Sequence, residues 1–158
     1  MSMDPRSLNK VIAILFYGRS GSVFLGSLLD GHPWLMATPG SYLSGFYNEF
    51  WPKFGHLPKD ELIQAFVTFY AVLFDARERC GSDYAGHGVG EYLGFTRMGP
   101  QQDQVLKSDR GIFLQSMKES LDAEPMVTRK FFLQAVHVAY EKAMRRDIKY
   151  SAPIILFP

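Results

Sequence analysis

The sequence predicts an α/β fold built on a parallel sheet, and three observations point that way. Val11-Ile12-Ala13-Ile14-Leu15-Phe16-Tyr17 is a continuous apolar run rich in β-branched residues, the pattern of a strand buried on both faces. Gly18 ends that run, and after a short polar turn Val23, Phe24, Leu25, Leu28 and Leu29 follow in helical spacing until Gly31-His32-Pro33 stops them. Near the other end of the sequence, Pro153-Ile154-Ile155-Leu156-Phe157 repeats the buried-strand pattern.

Taken in order, Met1 to Lys10 is polar and aperiodic and reads as a loose lead-in, with residues 11–158 as one domain. Trp34 to Thr38 is a short strand ahead of Pro39-Gly40, and the aromatic stretch Ser41 to Phe54 reads as irregular or briefly helical. From Lys59 a helix is expected: Asp60 and Glu61 suit its N-terminus, and Leu62, Phe66, Phe69, Tyr70 and Leu73 form a stripe leading to Cys80-Gly81. Residues 81–99 hold six glycines, at 81, 86, 88, 90, 94 and 99, and read as a long loop. Asp109 to Leu121 is a further helix. A stronger one runs from Thr128 to Arg146, with Phe132, Ala135, Val136, Ala139 and Ala143 on one face and Arg145 and Arg146 at its negative end. Three strands are few for a doubly wound sheet, which usually has about five. The expectation is therefore an incomplete domain, the N-terminal part of a longer one.

Composition narrows the function. With 47% hydrophobic and 21% charged residues, the 158-residue chain has the apolar content for a genuine core. A net charge of +1 gives no electrostatic footprint for nucleic acid or an anionic membrane, so any anion is held locally. The early apolar run of seven residues, Val11 to Tyr17, is short of the ~20 a membrane span needs. Neither signal peptide nor membrane anchor is expected. The single cysteine, Cys80, fits a reducing, cytoplasmic compartment. Four histidines with no Cys or carboxylate at ligand spacing predict no metal site, and no Gly-x-Ser-x-Gly elbow supports a hydrolase.

Gly18-Arg19-Ser20-Gly21-Ser22 carries the most chemistry. Placed between a buried strand and a helix, it combines unpaired backbone N–H groups with the positive end of a helix dipole. Arg19 adds a fork of charged donors suited to phosphate or sulfate oxygens, and Ser20 and Ser22 add hydroxyls. The nucleoside triphosphate P-loop is excluded, because Val23 stands five positions after Gly18 and no lysine follows. The dinucleotide fingerprint fails on the spacing of Gly18 and Gly21.

Arg19-Ser20-Gly21-Ser22-Val23-Phe24-Leu25 resembles the phosphosulfate loop of sulfotransferases that use 3'-phosphoadenosine 5'-phosphosulfate (PAPS). Their pattern is Lys/Arg-Ser-Gly-Thr/Ser-Thr/Ser, then an aromatic and an apolar residue. Leu28-Leu29-Asp30-Gly31-His32-Pro33 is similar to the Leu-x-x-His-Pro helix end of many bacterial and carbohydrate-type members, so the motif likeness covers about residues 11–39. The resemblance implies a P-loop type three-layer fold, with a parallel sheet flanked by helices. It also implies an enzyme that transfers a sulfuryl group from PAPS to a hydroxyl or amine of a small-molecule or glycan acceptor. Carried over by position, Arg19 neutralises charge growing on the leaving phosphate. Ser20, Gly21 and Ser22, with the N–H groups of Val23 and Phe24, cradle that phosphate, and no metal is required. The family's base is a His or Glu from the region after the second strand, which implies Glu49 and His56.

The chain departs from the family in two places. Val23 replaces a hydroxyl, which removes one side-chain bond to phosphate and leaves the backbone donor. The Arg and Ser that hold the cofactor's 3' phosphate have no counterpart; Lys107-Ser108-Asp109-Arg110 has the residue types in the wrong order and reads as a solvated helix start. His32 reads as helix-terminating, His137 as packed or partly exposed and His87 as solvated in the glycine loop, while Phe46, Tyr47, Phe50, Trp51 and Phe54 are expected to line an acceptor pocket or a partner surface. Two alternatives remain. One is a non-catalytic nucleotide- or anion-binding module, or an inactive fragment forming a homodimer through a sheet edge; the other is a small-molecule kinase with an aberrant loop, against which the missing lysine argues.

Overall fold

The computed structural model describes residues 3–8, 10–13, 22–29, 32–38, 43, 45–83, 88–146 and 154–157. The chain divides into two compact units, one of residues 1–40 with 111–158 and one of residues 41–110. Among the described residues no helix is long and apolar enough to cross a membrane.

In the first unit three short strands, β1 (Lys10–Ala13), β2 (Leu35–Ala37) and β3 (Ile154–Phe157), pair in parallel in the order β1-β3-β2. Lys10 and Leu35 both stand level with Ile154, while Ala13 pairs with Phe157 and Ala37 with Leu156. The third strand thus enters between the first two. In the sheet orders 3-2-1 and 2-1-3 of dinucleotide and flavin folds, by contrast, the first two strands pair directly. The β1-to-β2 connection carries α1 (Ser22–Leu29), and the return to β3 carries α5 (Arg110–Asp122) and α6 (Arg129–Ala143).

The expectation of a first strand buried on both faces is corrected: Val11 is 55% and Ile12 43% exposed. The apolar run is real, but among the described strands β1 is paired on one side only. Residues 14–17 of that run lie outside the described residues.

The first unit's core is built around α6. Thr128 caps it, its hydroxyl accepting the N–H of Phe131 at 3.2 Å. From Phe131 to Glu141 every residue is buried, so this helix is enclosed on all sides and is not a simple amphipath. Gln134, His137 and Glu141 lie at spacings of three and four, one polar stripe along a buried helix. Each is bonded: Gln134 Nε2 donates to the Leu8 carbonyl, His137 Nδ1 lies 2.9 Å from the Leu133 carbonyl, and Glu141 Oε1 accepts the Ala37 N–H at 3.2 Å. Beyond Ala143, Arg145 takes a left-handed φ of 54°, and the Arg146 N–H reaches back to the Glu141 carbonyl at 3.1 Å. This Schellman-type end brings the Arg146 guanidinium to 3.6 Å from the Glu141 carboxylate.

The lead-in is not loose. Pro5–Ser7 forms a 3₁₀ turn capped by Asp4, Leu8 is fully buried against Met36 and Val138, and Arg6 pairs with Glu124 at 2.7 Å. A single buried leucine has no periodicity to betray it. On α5, fully buried Phe113, Met117 and Leu121 form a one-sided stripe at four-residue spacing.

The second unit is helical and aromatic. A π-helical turn, Phe46–Phe50, leads into α2 (Trp51–Phe54) and then α3 (Lys59–Phe69). Phe50 is the hub, with the rings of Phe46, Phe54, Phe66, Phe69 and Tyr70 at centroid distances of 5.2 to 5.8 Å. The expected helix to Cys80 ends early, because Tyr70 leaves helical geometry (φ −109°, ψ 44°) and Ala71–Leu73 continues as a 3₁₀ turn that still buries Val72 and Leu73. Among the described residues of the glycine-rich stretch, a short helix forms, α4 (Val89–Tyr92). Gly90 lies so close to residue 76 that an added Cβ would stand 2.0 Å from the Ala76 carbonyl oxygen. Residues 107–110 are pinned and not merely solvated: Lys107 pairs with Asp75 at 3.2 Å, the Ser108 hydroxyl donates to the Leu73 carbonyl at 2.7 Å, and the Arg110 guanidinium lies 5.1 Å from the centre of the Phe74 ring.

Burial pushes the His137 imidazole down to about 4, against an ordinary value of 6.5. A group harder to protonate when folded contributes stability that is complete above the unfolded value and is lost as pH falls from about 6.5 toward about 4. Arg77, followed by Lys107, holds the Asp75 carboxyl well below the usual carboxylate range, so Asp75 stays charged across that window. Urea unfolding at pH 7 and pH 5 should show a loss of about 2 kcal/mol that His137→Asn removes. An unchanged loss in the variant would assign it to another group.

Candidate functional site

In open parallel sheets, ligands gather beyond the carboxyl ends of the strands. In the first unit the described part of β1 runs to Ala13 and that of α1 from Ser22, and the glycine turn falls between them in sequence. Gly18, Arg19, Ser20 and Gly21 lie outside the described residues. Ser22 and Val23 open the helix, and Phe24, in its first turn, is 69% exposed. Beyond α1, His32 closes the helix as expected of a terminating residue: its N–H bonds the Leu29 carbonyl at 3.2 Å, and its Nδ1 accepts the Trp34 N–H at 3.3 Å.

Past the end of β2 stand buried Thr38 and the Glu141–Arg146 pair. Sequence reasoning missed Glu141. The signal was present, since a carboxylate one turn after His137 falls beside the helix's apolar stripe, where a charge persists only if it is paired and hydrogen-bonded. Arg146 and the Ala37 N–H meet that condition.

Glu49 and His56 belong to the second unit, whereas the glycine turn falls in the first. Glu49 sits on the π-helical turn, and its Oε2 accepts the N–H of Asp83 at 3.2 Å. Gly45 begins that turn with φ +76°, and a Cβ there would stand 2.2 Å from the Ser82 hydroxyl and 2.9 Å from Glu49 Oε2. The missing side chain is what lets residues 82–83 close onto Glu49. Behind them, burial, then Cys80 and then Glu49, raise the Tyr70 hydroxyl above its ordinary range, and burial likewise pushes the Cys80 thiol up. The raised Cys80 thiol is the opposite of the lowered pKa that a nucleophile needs. Glu49 thus fastens the 82–83 segment. His56 is exposed at the turn closing α2, and His87 lies outside the described residues.

Of the aromatic group expected to line a pocket, Phe46 and Phe50 are fully built into the core and only Tyr47 is well exposed, at 46%. A cavity of about 240 Å³ beside Arg6, Glu119 and Phe131 falls below the ~300 Å³ of ordinary ligand pockets. Among the described residues, no three His, Cys, Asp or Glu side chains converge as a metal site. Comparison with protein-family models, curated proteins and solved structures finds no match to this chain.

Two substitutions separate fastening from chemistry at Glu49. Gly45→Ala should destabilise the protein by about 2 to 4 kcal/mol in chemical denaturation, from left-handed strain plus overlap with Ser82. Glu49→Gln keeps an acceptor for the Asp83 N–H and should cost less than about 1 kcal/mol. A loss for Glu49→Gln as large as that for Gly45→Ala would mean that the charge, not the acceptor, holds the loop.

Proposed function

We propose that the chain is a P-loop, three-layer α/β module of the sulfotransferase type, which binds PAPS and passes its sulfuryl group to a hydroxyl or amine of a small-molecule or glycan acceptor. The observation that carries this reading is the sequence Arg19-Ser20-Gly21-Ser22 set between an apolar strand and a helix. Supporting it, a parallel strand, β1, precedes the turn in sequence and the helix α1 follows it, the order of elements in which a helix N-terminus can serve an anion.

In this reading Arg19, Ser20, Gly21 and Ser22, with the N–H groups of Val23 and Phe24, hold the 5' phosphosulfate, and the donor supplies the activated sulfuryl group. Transfer between oxygens passes through a loose, in-line transition state, so the protein's task is to position the partners and neutralise charge on the departing phosphate. Arg19 does the second with a charge and a fork of donors. Glu49 or His56 takes the acceptor's proton. The single cysteine fits a cytoplasmic setting.

A second reading, binding without turnover, is favoured by two observations. The Glu49 carboxylate is engaged by the Asp83 N–H, and the 3'-phosphate Arg and Ser have no counterpart in the sequence.

Calorimetric titration with adenosine 3',5'-bisphosphate, with ATP as control, tests the donor site. Selective binding is expected, and Arg19→Ala should weaken it about ten- to a hundredfold, the worth of one charge-assisted bond, while His87→Ala leaves it unchanged. Equal effects of the two substitutions, or equal binding of ATP, would remove the glycine turn from the site.

A further inference from the structure

In the second unit, residues 80–83 lie against two elements and belong to neither. The Gly81 N–H donates to the Phe69 carbonyl at the end of α3, at 2.6 Å, and the Asp83 N–H donates to Glu49 on the π-helical turn, at 3.2 Å. The fit is close at both supports: a Cβ on Gly81 would stand 2.8 Å from the Phe69 ring, and one on Gly45 would overlap the Ser82 hydroxyl. Cys80 and Ser82 are buried there, at 8% and 4% exposure. Before them, Asp75 binds Arg77 and Lys107 and holds the chain as far as residue 77.

Lifting this segment costs little beside unfolding the unit. Residues 78–83 form neither helix nor strand, so no ladder of backbone bonds breaks along with these anchors. Cys80, Gly81 and Ser82 have small side chains and give up little apolar burial, whereas global unfolding gives up the ring cluster around Phe50. We propose that residues 80–83 are a strap that lifts from Phe69 and Glu49 while the aromatic core stays folded, and that this local opening controls access to Cys80 and to the Glu49 carboxylate.

Closed, the strap occupies Glu49 with a backbone donor and keeps the thiol out of water, where burial raises it and slows any reaction through the thiolate. Open, it presents both groups to solution. Glu49 is the adjustable anchor, because the Phe69 carbonyl belongs to the backbone of α3, while a side-chain acceptor can be removed with the backbone unchanged. The strap stands apart from donor binding and is tested without nucleotide.

The chain has one cysteine, so the reaction of the native full chain with a chromogenic aromatic disulfide reports on this segment alone. The rate should be about ten- to a thousandfold below that of the urea-unfolded chain and stay nearly flat up to about 1 M urea, because the opening exposes little surface. Gly45→Ala, which crowds Ser82, and Glu49→Ala, which removes the acceptor of the Asp83 N–H, should each raise the native rate about tenfold or more with an unchanged circular dichroism spectrum. Leu8→Ala, in the core of the other unit, should leave it unaltered. A rate equal to that of the unfolded chain, a rate that climbs with urea as global unfolding does, or one that neither strap variant raises overturns the proposal. Equal acceleration by Leu8→Ala does so too.

Discussion

The first unit depends on enclosing α6 on every side while keeping its polar stripe bonded. A buried polar group without a partner costs more than the same group left in water, so Gln134 and Glu141 can be enclosed only if something is brought to them. Gln134 receives the Leu8 carbonyl from the N-terminal segment, and Glu141 receives the Ala37 N–H from β2. Seven residues apart, about 10 Å along the helix, these contacts fix two stretches of chain that are distant in sequence. The requirement is directional, and it determines which strand lies over α6 and at what height. The Arg146 guanidinium, returned by the left-handed turn at Arg145, lies 3.6 Å from the same carboxylate oxygen, Oε1, and adds a charge of opposite sign beside it.

The second unit is organised by an almost opposite principle. Phe50 and the rings around it specify volume but few bond directions, and such a cluster tolerates several arrangements of its helices unless polar contacts choose one. Asp75 makes that choice on one side by binding Arg77 and Lys107, and Glu49 makes it on the other by binding the Asp83 N–H.

What could be read in the sequence follows from the range of the forces involved. The α1, α5 and α6 helices lie within a few residues of where periodicity and capping place them, because those signals act over one or two turns. The start of β2 and the core of β3 are likewise marked by short apolar runs. Burial of a strand is another matter: Val11 and Ile12 have the right residue types, but their exposure depends on what lies beside β1, which no local pattern records. Leu8 fails in the opposite sense, one apolar residue among polar ones that a helix more than a hundred residues later encloses. In α3 the stripe continues past Phe69 since a 3₁₀ turn presents nearly the same face as an α-helix. At the candidate site, the chemistry of Arg19 and Ser20 is legible in residue type and spacing alone, whereas the engagement of Glu49 by Asp83 spans thirty-four positions and leaves no trace in either neighbourhood.

The chain contains two tryptophans, and the division into units gives one to each: Trp34, half exposed after α1, and Trp51, at the start of α2 with its ring 6.0 Å from that of Phe46. The two indoles therefore sit in different solvents, one largely aqueous and one among phenyl rings. Their emission maxima differ for that reason, and each follows the melting of its own surroundings. Replacing either by phenylalanine makes the fluorescence of the other a private record of one unit. The protein thus carries, without labelling, the means to show whether its halves unfold together or in turn.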